Sequence, residues 1–371
     1  MGNATGFGGA RAAPGGRTIS RMHALVFEGP GSVSFRAAHP DPTPPAGHAA
    51  TVEVEGAGLC GSDLHPYLGV EQARPGVIPG HEAVGFVTEI GAEVRGVAVG
   101  DRVIVPFTAA CGACRPCTSG LSSRCAEAVL FGWGDPERPE RPALDGMQAQ
   151  KVSVPMADST LVQIPGRFTI PQALLLADNL PTGWYAVRRS EAVPGEPLVV
   201  LGAGSVGLCA VAAASYLGVE DITVIDPVEE RRAAAARLGA RALAPDDHRL
   251  GGIEPAGSVI DAAGTLRAQQ LAAGLCRPGA TLSSIAVQTS AAFGFSPVEA
   301  YDRNLTIRTG RAPVRSLLDE LVPLVVSGAL ATPEREVFTD EGLPLSAGPE
   351  TYRRFADRSA GIIKAWFDPP T

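Results

Sequence analysis

The hydrophobic residues of this chain follow two patterns that divide it at about residue 197. Between residues 21 and 175, short β-rich runs such as 50–54 and 84–90 are separated by Gly-rich turns, which is typical of β-strands. After residue 197, fully apolar runs alternate with Ala-rich segments. Strands that are apolar on both faces are expected in a parallel sheet covered by helices on each side. The pattern therefore predicts an α/β protein with a β-rich part and a doubly wound, parallel-sheet part.

The second part can be followed element by element. Strands are predicted at Leu198–Leu201 and Ile222–Ile225, because both runs are wholly apolar. The first strand is followed by a Gly-rich turn and a helix that ends near Gly218, and the second by a helix over 231–238 that Gly239 closes. The remaining predicted elements are strands at 258–260 and 281–286 and a helix at 316–328.

Composition and charge narrow the range of functions. The chain has 371 residues, of which 45% are hydrophobic and 19% charged, and its net charge is −8. A nucleic-acid partner is excluded, because a polyanion requires a basic surface. No apolar run reaches the roughly 18–20 residues of a membrane helix, so no membrane association is expected. Residues 1–20 lack the apolar stretch of a signal peptide, and we interpret them as a flexible extension of a cytoplasmic protein.

A glycine motif indicates a nucleotide site. Gly202, Gly204 and Gly207 form a G-x-G-x-x-G pattern, with Ser205 and Val206 between the last two glycines. The motif follows a predicted strand and opens a predicted helix, which is the setting in which it binds a dinucleotide. The glycines allow a tight turn, close approach of a pyrophosphate and close packing of helix on strand. The N–H groups at the start of the helix would then bind the phosphates.

The choice between NAD and NADP depends on Asp226, which follows the second apolar strand. A carboxylate at this position can accept hydrogen bonds from the ribose hydroxyls and repels a 2′-phosphate, so it favours NAD. Arg231 is a further candidate cofactor-binding residue, and with Arg232 it is the feature that would favour NADP. The alternative for Asp226 is a helix cap, since Pro227 is of the type found at the first helical position.

Four cysteines form a second motif. Cys111, Cys114, Cys117 and Cys125 follow the spacing C-x2-C-x2-C-x7-C. Four thiolates in one short segment are typical of a closed, tetrahedral structural zinc site. An iron–sulfur cluster is the main alternative, but the ferredoxin run has three residues before its last Cys and a Pro after it. This spacing therefore favours zinc.

Two further segments carry a family resemblance. The runs GLCGSDLH at 58–65 and PGHEAVG at 79–85, the cysteine segment and the glycine motif occur in the order seen in zinc-containing medium-chain alcohol dehydrogenases. The chain resembles this family from about residue 22 to its end. The resemblance implies a GroES-like catalytic domain over 21–178 and 314–371, and a Rossmann NAD-binding domain over 179–313.

The resemblance also implies a catalytic zinc. Cys60 and His81 would be ligands, and Asp178 stands where the best-known members have a third ligand that is a Cys. This variant resembles the branch that includes glutathione-independent formaldehyde dehydrogenases. Glu82 would lie beside the metal and sometimes reach it, and Asp63 would orient the His81 imidazole.

By the same resemblance, Ser62 would take the proton of the alcohol, and His65 would pass it to solvent. Phe107 and Trp133 are candidates for the wall of the substrate pocket, as is Trp184, although each could equally be a packing residue. The cysteine segment resembles regions near subunit contacts, so a homodimer or homotetramer is expected.

The expected function is reversible hydride transfer between a small alcohol and NAD, giving an aldehyde or ketone. One alternative is an aldehyde dismutase that retains NAD, or an enzyme like formaldehyde dehydrogenase. A zinc-free enoyl or quinone reductase is disfavoured by the Cys60 and His81 pair. A non-catalytic protein that binds NAD and zinc is disfavoured because Ser62, His65 and the zinc ligands are all present.

Overall fold

The computed structural model describes residues 20–133, 144–357 and 361–370. Apart from residue 20, the extension predicted at the start of the chain lies outside the described residues. None of the helices within these ranges is long and apolar enough to cross a membrane.

The described ranges contain both strands and helices. The strands are β1 Arg21–Gly29, β2 Ser32–Pro40, β3 Ala50–Leu59, β4 Ala83–Ile90, β5 Arg102–Val105, β6 Thr108–Ala109, β7 Val129–Leu130, β8 Lys151–Val154, β9 Val162–Gln163, β10 Leu198–Leu201, β11 Ile222–Ile225, β12 Arg241–Leu243, β13 Ala256–Asp261, β14 Cys276–Ser284, β15 Thr306–Thr309, β16 Phe338–Pro344 and β17 Lys364–Asp368. The α-helices are α1 Leu64–Tyr67, α2 Arg115–Thr118, α3 Ala157–Thr160, α4 Ile170–Ala177, α5 Asn179–Ser190, α6 Ser205–Tyr216, α7 Glu229–Arg237, α8 Leu266–Leu275, α9 Pro297–Asp302, α10 Val314–Val326, α11 Glu334–Val337 and α12 Gly348–Ala356.

The first large sheet is mostly antiparallel. Its strand order is β16-β17-β3-β4-β5-β9, and β8 also pairs with β3. Val52, Val87 and Val103 belong to its buried core, as expected for β-branched residues on the inner face of a sheet. Strand β17 pairs with β3, so the end of the chain returns to this sheet. The prediction of a β-rich part is confirmed, while the domain boundaries at 178/179 and 313/314 stay a prediction.

The second large sheet is parallel throughout, with the order β12-β11-β10-β13-β14-β15. All four residues of β10 and of β11 are buried, because hydrophobic clusters cover both faces of the sheet. The order reverses at β10, whose neighbours are β11 and β13. In such sheets ligands bind at the carboxyl ends of the strands where the order reverses. The predicted α/β class and doubly wound sheet are confirmed.

Helices α4 and α5 connect the two sheets. Helix α4 packs on β3, β4 and β5, whereas α5 packs on α6, β13 and β14. Helix α4 begins with a reciprocal cap, in which the Thr169 hydroxyl accepts from the Gln172 N–H and the Gln172 side-chain oxygen accepts from the Thr169 N–H. Asp178 lies between the two helices, with φ −154° and ψ −65°. This break places its side chain where the two sheets meet.

Element boundaries differ modestly from the prediction. Strand β14 begins at Cys276, earlier than the predicted residue 281, because Arg277, Pro278 and Gly279 interrupt the apolar pattern that marks its second half. Helix α6 ends at Tyr216, and Gly218 adopts a φ of +84° just beyond it. A glycine in this left-handed region closes a helix without steric cost.

Candidate active site

A cleft of about 1630 Å³ is lined by residues of both sheets and their loops. Cys60, His81 and Asp178 line it from the first part of the fold. The turn after β10 and the Asp226 carboxylate line it from the second. The predicted metal ligands and the predicted nucleotide loop therefore share one cavity.

Four potential metal ligands converge in this cleft. Cys60, His81, Glu82 and Asp178 each offer one ligand atom, and these atoms all lie within 4.8 Å of one another. Cys60 Sγ is 3.6 Å and His81 Nε2 is 3.9 Å from Asp178 Oδ2. A thiolate, an imidazole and a carboxylate are all zinc donors. The donor set therefore fits zinc.

Neighbouring strands bring these ligands together. Cys60 directly follows β3, and His81 lies just before β4. The two strands are antiparallel with Ala57 opposite Ala83. Cys60, which follows β3, and His81, which precedes β4, are therefore brought to the same end of this strand pair. Gly80 has a φ of +93°, which lets the chain turn toward β4 immediately before His81.

Hydrogen bonds orient the His81 imidazole. Its Nδ1 lies 2.9 Å from Asp63 Oδ1, which leaves Nε2 facing the ligand cluster. Burial opposes protonation, but the charge and hydrogen bond of Asp63 raise the pKa of His81 well above its usual value. The other Asp63 oxygen accepts from the Cys60 N–H at 2.8 Å. Asp63 thus fixes two of the ligands at once.

The two residues predicted to handle protons also line the cleft. The Ser62 hydroxyl oxygen is 3.2 Å from His81 Nε2, so it lies beside the ligand cluster. His65 Nδ1 is 3.2 Å from Glu71 Oε2, and the His65 side chain is 24% exposed. Ser62 thus lies at the ligand-cluster end of the cleft, and His65 is in contact with solvent.

Aromatic rings form one wall beside the cluster. The Phe107 and Trp133 ring centres lie 6.4 Å and 5.6 Å from that of His81, and both residues line the cleft. Trp184 is buried and packs on Tyr216 with ring centres 5.7 Å apart. Trp184 is therefore a packing residue and not part of the wall.

The glycine turn has the predicted conformation. Gly202 adopts a φ of +97°, and Gly204 is the residue that caps α6. A Cβ on Gly207 would lie 1.9 Å from the Gly202 carbonyl oxygen, so only glycine allows the helix to pack this closely. Ser205 and Val206, at the start of α6, line the cleft.

Asp226 is held by the backbone at the end of β11. Its two carboxylate oxygens accept from the Ala203 and Val228 N–H groups, each at 2.8 Å. Helix α7 is capped by Val228, so Asp226 is not its N-cap. Arg231 also lines the cleft, and its guanidinium donates to the Ile362 carbonyl.

The four cysteines of the second motif converge separately. One sulfur from each of Cys111, Cys114, Cys117 and Cys125 lies within 4.8 Å of the others. Hydrogen bonds from the Ala126 and Cys117 N–H groups lower the pKa of Cys114 to about 6. N–H groups that stabilise a thiolate are a feature of cysteine metal sites. The geometry therefore fits one closed zinc site.

Comparison with known proteins agrees with this arrangement. Residues 46–166 match the alcohol dehydrogenase GroES-like domain, and residues 205–327 match the zinc-binding dehydrogenase domain. A Mycobacterium tuberculosis protein described as a probable zinc-binding alcohol dehydrogenase is 38% identical over 94% of this chain and 89% of its own length. This chain belongs to the zinc-binding alcohol dehydrogenase family. As a member of that family it is an oxidoreductase.

Two other relatives help to place the chain within the family. The structure of the alcohol dehydrogenase TADH from Thermus sp. ATN1 superposes with a TM-score of 0.85 at 31% identity, covering 94% of this chain and 99% of that one. A glutathione-independent formaldehyde dehydrogenase of Pseudomonas aeruginosa is 34% identical over 60% of this chain and 58% of its own length. The resemblance predicted from the motifs is thus confirmed.

A buried ion pair beside the ligands of this dehydrogenase was not predicted. Lys364 in β17 is fully buried, and its Nζ lies 2.6 Å from Glu82 Oε2 and 2.8 Å from Oε1. Burial raises the pKa of Glu82 to about 7, against the opposing charge of Lys364. Asn179 donates to Glu82 Oε1 and to Asp178 Oδ2, at 3.4 Å and 3.0 Å. Glu82 is therefore held from two sides.

A second unpredicted group lies behind His81. Tyr352 donates to the Gln148 side-chain oxygen at 2.8 Å, and the Gln148 amide donates to the Gly58 carbonyl at 3.1 Å. The Gln148 amide also lies 3.5 Å from Asp63 Oδ2. Tyr352 and Gln148 belong to no sequence motif. Lys364, by contrast, could have been noticed as a single charge inside the apolar run IIKAWF.

Proposed function

We propose that this dehydrogenase transfers a hydride between a small alcohol and NAD, giving the aldehyde or ketone, at a zinc ion held by Cys60, His81 and Asp178. The observation that carries the proposal is the convergence of these three donors in the cleft that also contains the glycine turn. A closed structural site would leave no room for substrate, whereas three protein ligands beside a cavity leave a coordination position open.

The protein's own groups prepare this centre. When bound, zinc makes a hydroxyl group more acidic and polarises a carbonyl group. Asp63 holds the His81 ring so that Nε2 faces the cluster. Lys364 pairs with Glu82 and balances its charge, so that Glu82 would lie beside the metal without being a lasting ligand. Phe107 and Trp133 would position the carbon chain of the substrate and exclude water from it.

Ser62 and His65 would carry the proton. The Ser62 hydroxyl oxygen is both an acceptor and a donor, and its place 3.2 Å from His81 Nε2 puts it within reach of a substrate oxygen at the cluster. In the oxidation direction, it would accept the substrate proton and pass its own onward. His65 would release the proton to solvent, because it is partly exposed and Glu71 holds its ring through Nδ1.

The coenzyme preference is assigned from Asp226. Each of its oxygens accepts one backbone hydrogen bond and so keeps capacity for another, and Asp226 lines the cleft. A carboxylate there would accept from ribose hydroxyls and repel a 2′-phosphate, so we assign NAD and not NADP. Gly202, Gly204, Ser205, Val206, Gly207 and Arg231 would complete the nucleotide site.

A second, structural zinc ion would be held by Cys111, Cys114, Cys117 and Cys125.

A cytoplasmic homodimer or homotetramer is also proposed. Among the described residues, β15 has no strand on its outer side, and Val298 and Tyr301 nearby are 67% and 82% exposed. An open strand edge beside apolar side chains favours association with a second copy. Light scattering of the purified protein would give its mass.

Coenzyme reduction tests the proposal. The purified protein is assayed with NAD and with NADP on primary, secondary, aromatic and polyol alcohols. We expect turnover on at least one class and a preference for NAD. Ser62→Ala should lower kcat by on the order of a hundredfold, in the range for a lost proton-transfer group. Ser215→Ala, a serine outside the cleft lining, serves as the control.

Three results would contradict the proposal. Turnover of an aldehyde with no added coenzyme would identify a dismutase that retains NAD. A preference for NADP would overturn the role of Asp226. Binding of NADH and zinc without turnover of any alcohol, aldehyde or ketone would indicate a non-catalytic binding protein.

A further inference from the structure

Two arginine side chains face the same cleft from two different loops. Arg124 ends the turn Ser122–Arg124 in the segment that carries the four cysteines, and Arg311 follows β15. Both line the cleft with Cys60, His81 and Asp178. The Ser123 hydroxyl donates to the Arg311 carbonyl at 2.9 Å and ties the two loops together. The two guanidinium groups therefore belong to adjacent, mutually fixed loops.

Within the described part of the chain, no acidic side chain pairs closely with either of these two charges. Neither guanidinium forms an ion pair within 4.0 Å, although many other arginines do. Four acids share the cleft, namely Glu71, Glu127, Asp178 and Asp226, and none of them forms an ion pair within 4.0 Å with either arginine; Glu71 is paired with His65. Burial and then the charge of Arg124 lower the pKa of Arg311, against the opposing charges of Glu71 and Asp178. Both arginines keep a large exposed fraction, so a ligand can reach them. Two like charges that face one space are stabilised by an anion between them.

The pyrophosphate of a dinucleotide does not account for this pair. The phosphates are expected where β10 ends and α6 begins. In the strand order β10-β13-β14-β15, Arg311 follows a strand three positions away from β10. Neighbouring strands are about 4.8 Å apart, so the two strand ends are separated by about 14 Å. The backbone at Arg311 therefore lies well away from the expected pyrophosphate position.

Apolar side chains also line the cleft. Phe107, Leu130, Trp133 and Ala312 are among them, and the rings of Phe107 and Trp133 lie beside His81. An occupant of the cleft would thus have the ligand cluster, apolar side chains and two guanidinium groups available to it. A guanidinium binds a carboxylate or phosphate through paired N–H donors, which gives both affinity and orientation.

We propose that Arg124 and Arg311 form an anion subsite, and that the substrate is an alcohol or carbonyl compound whose far end carries a carboxylate or phosphate. This inference rests on the proposed dehydrogenase function and specifies its substrate class. The anion fixes the distal end of the substrate while the hydroxyl or carbonyl group reaches the cluster of Cys60, His81 and Asp178.

The test compares matched substrates that differ in charge. With NAD, kcat and KM are measured for 6-hydroxyhexanoate, 6-hydroxyhexyl phosphate and 1-hexanol. We expect a KM at least about tenfold lower for an anionic member, because only the anion forms a charge-assisted hydrogen bond with a guanidinium group. The variants Arg124→Gln and Arg311→Gln should raise the KM for that anion about tenfold and leave the KM for 1-hexanol nearly unchanged. Arg335→Gln, which removes an exposed arginine outside the cleft lining, is the charge-matched control.

The outcomes separate the subsite from the proposed reaction. Equal KM values for hexanol and both anions, with normal turnover, would overturn the subsite and leave the dehydrogenase intact. A weaker NADH affinity in both variants, with no change in substrate preference, would assign the arginines to the coenzyme and also overturn the subsite.

If no alcohol is turned over, calorimetry with hexanoate and hexanamide still tests the subsite. Binding of hexanoate alone, abolished in Arg311→Gln, would support the subsite even though the proposed reaction had failed, and equal binding of both compounds would refute it.

Discussion

At the scale of single residues, the ligand cluster depends on charges that are balanced in the protein interior. Glu82 and Lys364 are both fully buried, and each is the closest opposite charge of the other. A Cβ on Gly58 would lie 2.1 Å from Glu82 Oε2, so glycine at position 58 leaves the space that this carboxylate occupies. A buried ion pair adds little net stability, but the loss of one partner leaves an uncompensated charge.

Lys364→Met should therefore destabilise the fold by about 3–5 kcal/mol, because Glu82 would remain buried without its partner. The free energy of unfolding in urea measures this loss. The double variant Glu82→Gln with Lys364→Met removes both charges and should recover much of the stability. A double variant as unstable as the single one would show that Lys364 acts through packing and not through its charge.

At the scale of elements, the parallel sheet and its glycine turn create the nucleotide site. Strand β10 lies where the strand order reverses, and α6 begins immediately after the turn at its end. Gly207 is the point of closest approach, since its added Cβ would lie 1.9 Å from the Gly202 carbonyl oxygen. If the start of α6 shifts, its N–H groups, which are expected to bind the phosphates, shift with it.

Gly207→Ala should accordingly shift the start of α6 and weaken NADH binding by about tenfold or more, as expected when phosphate hydrogen bonds are lost. NADH fluorescence titration measures the Kd. Gly274→Ala is the matched control, because this glycine lies in α8 and its added Cβ meets nothing within 4 Å. It should leave the Kd unchanged and slightly stabilise the helix. An unchanged Kd in Gly207→Ala would refute this role of the turn.

At the scale of the whole molecule, what could be predicted from sequence depended on how far apart the interacting residues are. The donors Cys60 and His81 lie in two short motifs, because metal chemistry restricts both residue type and spacing there. The apolar strands Leu198–Leu201 and Ile222–Ile225 were predicted with the bounds that the structure shows, since both faces of a parallel sheet are covered.

Partners distant in sequence could not be predicted. Lys364 and Glu82 are 282 positions apart, and Tyr352 and Gln148 are 204 positions apart. No local pattern relates such pairs, because the return of β17 to β3 brings the end of the chain to the ligand cluster. Arg124 and Arg311 of the proposed anion subsite are likewise far apart in sequence, and their loops are joined by the hydrogen bond from the Ser123 hydroxyl to the Arg311 carbonyl.

The proposed chemistry depends above all on a catalytic zinc held by Asp178 together with Cys60 and His81. Metal content and NAD reduction should be measured on the same preparations of wild type, Asp178→Asn and the control Asp319→Asn, since Asp319 is exposed on α10. We expect about two zinc ions per chain in wild type and control. Asp178→Asn should retain about one, in the four-cysteine site, and lose NAD reduction. Full zinc content together with full activity in Asp178→Asn would contradict this role of Asp178.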